Sequence, residues 1–156
     1  KDNAPNRIAR LLEHLIFCAV APQSVANRQT YIVSLGQTET YAAIGQEAAR
    51  ELLKEWLVYF RIGQNTPLPF FAKTSLAAAE EYGKKEDWDA ALRKAYDVFN
   101  GNKMNKAQKE YTEVKLVFGH SNEAPLEEPL FENLVVNLLV PLLNSAAGKN
   151  NATEQE

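Results

Sequence analysis

One cysteine, one methionine and two tryptophans in 156 residues narrow the chemistry this chain can support. A lone Cys18 builds neither a disulfide framework nor a cysteine-rich zinc site, so the sequence reads as one from a reducing, intracellular setting. There is no Gly-rich phosphate loop, no Gly-x-Ser-x-Gly elbow and no pair of carboxylates in a pocket-like pattern. No continuous apolar run nears the roughly 20 residues needed to cross a bilayer, and the first residues lack a signal peptide's basic flank and apolar stretch. The expectation is a soluble, cytoplasmic protein with no membrane partner. Excess positive charge is missing too: a net charge of −3 argues against a surface that embraces nucleic acid all round and leaves only local contact. The chain opens on Lys1 rather than methionine, which reads as an excised or processed piece.

What is present is helical periodicity. At 156 residues and 46% hydrophobic content the chain is long enough for one compact core, so a single domain over residues 1–147 is expected, with residues 148–156 as a disordered tail. Ile8, Leu11, Leu12, Leu15, Ile16 and Ala19 fall on one face of a helix that ends before Pro22. Thr30 to Val33 and Thr38 to Ala42, around Gly36-Gln37, predict a short β-hairpin. Two strands alone are marginal in water, so the hairpin should lie on helices or join a larger sheet. From Gln46 to Phe60 the apolar stripe Ala49, Leu52, Leu53, Trp56, Leu57 and Phe60 predicts a second helix stopping near Gly63. A short helix from Ser75 to Tyr82, closed at Gly83, should precede one capped by Asp87, carrying Trp88, Ala91, Leu92, Ala95, Tyr96 and Phe99 on one face and ending at Gly101.

Between the second and third helices lies the stiffest stretch, Pro67-Leu68-Pro69-Phe70-Phe71-Ala72-Lys73-Thr74-Ser75. Each proline locks φ and pushes its predecessor toward extended geometry, so Thr66 to Pro69 must be a non-helical strut. Phe70 and Phe71 then need burial, and Thr74 or Ser75 offers an N-cap. Nearer the C-terminus, residues Asn105 to Phe118 fit two patterns. Val114, Leu116 and Phe118 alternate as in a strand, whereas Ala107, Tyr111, Val114 and Phe118 share a helical face and Asn105 with Gln108 has capping-box spacing. Helix is preferred, ended by Gly119. The final helix carries Phe131, Leu134, Val135, Leu138, Leu139 and Leu142, and Pro141 should kink or end it.

Few side chains invite chemistry. Glu113-Val114-Lys115 has the acid-x-lysine spacing with which restriction-type nucleases hold a metal and activate water, but only on a strand, where both side chains share a face. On a helix they diverge by about 200°, and a solvated helical face is the preferred reading. His14 and Cys18, one turn apart, could each ligate a metal, yet no further ligand accompanies them. Cys18 reads as a small core residue and His14 as an interfacial or solvent-edge one. No cofactor and no metal are expected. Lys103, Lys106 and Lys109 form an acid-free polar stretch suited to a phosphate backbone, with Arg28 as a weaker candidate; solvated surface is the preferred reading for these too.

Leu12-Glu13-His14-Leu15, the hairpin, Glu47-Ala48-Ala49-Arg50-Glu51-Leu52-Leu53, Pro67-Leu68-Pro69-Phe70 with Lys73-Thr74-Ser75, Phe131-Glu132-Asn133-Leu134 and Val140-Pro141-Leu142 together resemble the C-terminal region of the gamma subunit (RecC) of bacterial exodeoxyribonuclease V. The order and rough spacing match over nearly the whole chain up to about Leu143, and the proline block is the most specific part. This chain departs where the family usually has Trp near Leu11 or Leu12, and an acidic Gly-rich stretch in place of Lys103 to Lys109, so the resemblance assigns those lysines no role. It implies a non-catalytic subunit of an ATP-driven helicase-nuclease that processes double-strand breaks for repair and recombination. It also implies the C-terminal part of an inactive restriction-endonuclease-like domain, set against the beta and alpha subunits and near DNA.

The combined expectation is an α+β, predominantly helical fold of about six helices and one short hairpin. Its structural residues are Trp56, Pro67, Pro69, Phe70, Thr74 and Trp88, and it acts as a scaffold without chemistry of its own. The alternatives are a residual metal-dependent nuclease using Glu113 and Lys115, or a protein-interaction module that never touches DNA.

Overall fold

The computed structural model describes residues 3–34, 37–101, 107–119, 125–127 and 129–147. Lys103, Lys106, Asn105, His120 and the expected tail at 148–156 lie outside them. Six helices and one hairpin make up the described chain. α1 spans Ala4–Val20, its N-terminus closed by the Asn3 side chain accepting from the Asn6 N–H at 2.9 Å, with Pro5 in the first turn where no N–H is needed. β1 (Thr30–Ser34) and β2 (Gln37–Tyr41) pair antiparallel from Thr30 opposite Tyr41 to Ser34 opposite Gln37. Gln37, read as a turn residue from sequence, is instead the first residue of β2. The hairpin does lie on helices: the Ala42 N–H donates to the Ala146 carbonyl at 2.8 Å, tying its end to the last helix.

α2 (Gln46–Gly63) matches its expected span but not its expected burial. Among its residues only Ala49 is buried, and Leu57 and Phe60, placed on the core stripe by periodicity, are 52% and 62% exposed. The reason is visible in the run Trp56-Leu57-Val58-Tyr59-Phe60-Arg61-Ile62. Phe60 shares a face with Ala49 and Trp56, so its exposure shows that the last turns of α2 run past the core, with apolar side chains all round them. Trp56 faces the core but is only half-buried.

The strut forms as the prolines dictate: no helix spans Gln64 to Phe71, Pro69 is fully buried and Phe71 is the extended residue before α3. α3 runs Ala72–Lys85, earlier and longer than the expected Ser75 to Tyr82. Neither Thr74 nor Ser75 is its N-cap; both are buried within the first turns, and Phe71 holds the cap position. The capping chemistry comes from elsewhere. Ser75 Oγ accepts from the Phe71 N–H at 3.0 Å, and the Gln108 side-chain carbonyl accepts from the Thr74 N–H at 3.1 Å and the Thr74 hydroxyl at 2.8 Å. Gln108 therefore serves α3, 34 residues away, rather than a local capping box. Gly83 does not stop the helix either; Glu86 does, at φ 52°, the left-handed turn that ends many helices.

α4 (Trp88–Asn100) has the expected Asp87 cap, whose carboxylate accepts from the Ala90 N–H at 3.1 Å, and Gly101 at φ 69° beyond its end. Ala78 and Ala79 of α3 and Ala91 and Ala95 of α4 are all fully buried, and their small side chains let the two helices pack closely. After a 3-10 turn at Gln108–Glu110, α5 covers Thr112–Phe118 and Gly119 follows it. The helical alternative is realised over Thr112–Phe118, shorter than the expected Asn105 to Phe118, because Tyr111 is extended between the 3-10 turn and α5.

α6 spans Pro129–Ala146 without ending at Pro141. It is α-helical over Pro129–Leu134, widens to a π-helix over Val135–Leu139 and returns to α over Val140–Ala146, with Pro141 in the first turn of that last piece. Proline has no N–H and its ring crowds the carbonyl four residues back; a wider turn just before it relieves both problems. This helix also corrects the reading of apolar length. Its 18 residues are long and apolar enough to cross a membrane by length and composition, yet Phe131, Leu134, Val135, Leu138, Leu139 and Leu142 are all buried as the central rod of the core.

Two apolar clusters surround that rod. One joins α3, α4 and α5 to Phe131, Val135 and Leu139; the other sets Leu11, Leu15, Cys18 and Ala19 of α1 against Tyr41, Ile44, Ala49, Leu142 and Ala146. Leu12, Trp56 and Leu143 pack against both and weld them.

Candidate functional site

The aromatic corner after the strut is the rigid centre from which the candidate surfaces radiate. Phe70 meets Trp56 edge-on at 6.0 Å, and Phe71 sits between Phe99 at 5.0 Å and Phe118 at 5.3 Å. Trp88 bridges Tyr82 at 6.5 Å and Phe131 at 6.0 Å. Pro67 is exposed at the outside of the strut. The indole N–H of Trp56 is buried with no acceptor among the described residues.

On one side of this corner lies a small basic edge. Because Gln108 is anchored to Thr74, their sequence neighbours Lys109 and Lys73 flank the same bonded pair. Lys73 Nζ donates to the Tyr111 hydroxyl at 2.9 Å and lies 5.6 Å from its ring centroid; Lys109 Nζ reaches Asn100 Oδ1 at 3.0 Å. Lys109 was legible as a candidate. Lys73 was not, since only the Gln108 bond carries it to that edge. Arg28 is placed differently: it donates to the Ala21 and Pro22 carbonyls, each at 3.3 Å, at the end of α1, and its Nε is buried. Those bonds make it a clamp on the α1 terminus.

Glu113 and Lys115 are both exposed on α5, so the strand geometry that a metal-binding pair requires is not the one present. Lys115 pairs with Glu110 at 2.5 Å. Among the described residues no three His, Cys, Asp or Glu side chains converge as a metal would require.

His14 is not at the solvent edge; it is fully buried, 1% exposed, beneath the hairpin. Its Nε2 lies 2.8 Å from the Ala42 carbonyl and its Nδ1 2.8 Å from Thr30 Oγ1, with the Tyr41 ring at 5.5 Å. A carbonyl only accepts, which assigns the proton to Nε2 and makes Nδ1 the acceptor for the Thr30 hydroxyl. Burial lowers its pKa below the ordinary 6.5, outweighing the Ala42 bond. Cys18 lies below the ring, Sγ 3.7 Å from Nε2, and burial raises its thiol pKa, leaving it protonated and unreactive. The pair fastens hairpin to helix.

The other surface is apolar. Ile16, Phe17 and Val20 on α1 and Leu57, Val58, Phe60 and Ile62 on α2 are between 37% and 65% exposed. Where the end of α1 meets the first turns of α2, the Ala19 carbonyl accepts from Gln46 Nε2 at 3.3 Å and Arg50 Nε at 3.1 Å. A cleft of about 370 Å³ opens there, lined by Ala19, Val20, Arg50, Leu53, Lys54 and Leu57. Sequence periodicity placed Ile16, Leu57 and Phe60 on core stripes and so missed the surface.

No curated protein matches this chain in sequence. A family model does: the RecC C-terminal domain matches residues 1–83, from α1 through the hairpin, α2 and the proline strut to most of α3. That span includes the His14 anchor, the apolar face and the strut, and a RecC C-terminal domain has its role in the RecBCD complex, exodeoxyribonuclease V, in DNA repair. The chain belongs to the RecC C-terminal domain family.

Proposed function

We propose that residues 1–147 form one domain that serves as a mount in the RecBCD complex, holding the beta and alpha subunits and helping to guide DNA at the fork, without chemistry of its own. Within that reading it is the C-terminal part of a restriction-endonuclease-like fold whose catalytic residues are lost, and it works in the cytoplasm. The observation that carries the mounting role is the outward apolar half of α2. A solitary protein rarely leaves a helix turn apolar on the solvent side, and large exposed apolar patches mark interaction sites. Guidance of DNA draws on the Lys73 and Lys109 edge, a local cationic feature on an otherwise acidic chain.

Reconstitution tests it. Purified chain mixed with the beta and alpha subunits should co-sediment with them, and Phe17→Ser with Phe60→Ser should release it; failure of the unaltered chain to associate overturns the mount. The residual-nuclease reading using Glu113 and Lys115 is disfavoured by their helical placement. Magnesium-dependent DNA cleavage by this chain that disappears in Glu113→Ala would restore it.

A further inference from the structure

The cleft between α1 and α2 has a chemical character beyond being apolar. It is lined by Ala19, Val20, Leu53 and Leu57 together with Arg50 and Lys54, and among the described residues no acidic side chain lines it. Arg50 and Lys54 are one helical turn apart and therefore point the same way from α2. The Arg50 guanidinium is steadied at the rim by its bond to the Ala19 carbonyl. Their carboxylate neighbours are Glu47, 3.9 Å from Arg50, and Glu51, paired with Lys54, whose side chains are 78% and 60% exposed. Exposed pairs of this kind are weak and screened by solvent, so either cation can exchange its neighbour for a carboxylate delivered in a less hydrated setting.

From these positions we infer that the cleft docks an amphipathic, acidic helix of a partner subunit, its leucine-like side chains entering between Val20 and Leu57 and two carboxylates one turn apart meeting Arg50 and Lys54. The inference rests on the mounting role above and specifies the partner's chemistry. A helix is the fitting shape because the cleft lies between two helices and continues into exposed apolar residues on both, which suits anchors at 3, 4 and 7 residue spacing. Arg50 and Lys54 reach the cleft while Glu47 and Glu51 do not line it, so a partner carboxylate is favoured there and a partner cation repelled.

The test uses the full chain and two synthetic helical peptides with identical leucine spacing, one bearing glutamates one turn apart and the other lysines at the same places. Fluorescence anisotropy at low salt should show the glutamate peptide binding about tenfold or more tightly than the lysine peptide. Lys54→Glu should shrink or reverse that preference. Leu57→Ser should weaken both peptides about tenfold while the melting temperature stays put, because the side chain is half exposed. Equal affinities for the two peptides, or binding indifferent to Leu57→Ser, would overturn the inference. So would sedimentation showing that the chain pairs with itself through Leu57. If the chain joins the partner subunits but Lys54→Glu and Leu57→Ser leave that association unchanged, the cleft assignment fails and the mount stands; if the chain joins neither subunit, both fail.

Discussion

His14 has two ring nitrogens and both are spent, one on the Ala42 carbonyl and one on the Thr30 hydroxyl. A proton added to Nδ1 would remove its ability to accept from Thr30 and would place a charge in a desolvated site, which is why burial lowers its pKa. Below 6.5, the ordinary value, the unfolded chain takes up this proton before the folded one does. The contribution to stability is therefore complete above 6.5 and falls as pH drops through that value toward the lower folded pKa. Urea denaturation at a series of pH values from 7.5 to 5, run beside His14→Gln, should show a steeper acid loss for the native chain; parallel curves would refute the assignment. Gln108 poses a harder constraint. Gln108→Ala strips the buried Thr74 N–H and hydroxyl of their shared acceptor, an expected loss of about 2–3 kcal/mol. Thr74→Val keeps the N–H bonded and should cost about 1 kcal/mol; the same denaturation series ranks the two.

Among the elements, α2 is the one whose two halves do different jobs. Trp56 packs against both apolar clusters and edge-on to Phe70, yet stays half-buried with its N–H unmatched among the described residues. Trp56→Ala should therefore cost about 2–3 kcal/mol, somewhat less than truncating a fully buried tryptophan. Phe60→Ser, one turn further along the same face and past the core, should move stability by no more than about 0.5 kcal/mol. Calorimetry on both variants decides, and a large loss for Phe60→Ser would mean that the last turn of α2 is covered by the chain itself. The strut supplies α2 with its abrupt ending. With Pro69 fully buried, Pro69→Ala removes packing as well as stiffness, so the change reaches beyond the turn. In α6, the π segment ahead of Pro141 lets one rod cross the whole core, where a break would have split the two clusters at their common wall.

At the scale of the whole molecule the surfaces are divided: an apolar face on α1 and α2, and an edge where α3 meets the 3-10 turn and α5 that carries Lys73 and Lys109 beside Glu110. If the edge touches a phosphate backbone, binding of duplex DNA should weaken steeply with salt, and each of Lys73→Ala and Lys109→Ala should reduce the slope of log K against log salt by about one. A slope unchanged by both variants would leave the molecule as a protein-binding module. Much of this architecture was written in the chain. The six helices, the hairpin, the Asp87 cap and the extended strut follow from periodicity, capping residues and proline geometry, all of which act over a few neighbours. The RecC resemblance was legible in the same local blocks and agrees with the family match over residues 1–83. Tertiary structure alone decided three things. It took Gln108 from its local helix to cap α3, buried His14 under the hairpin, and turned the apolar half of α2 outward. Periodicity tells which side chains share a side of a helix; how far along the helix that side is covered is set by the neighbours that arrive from distant sequence.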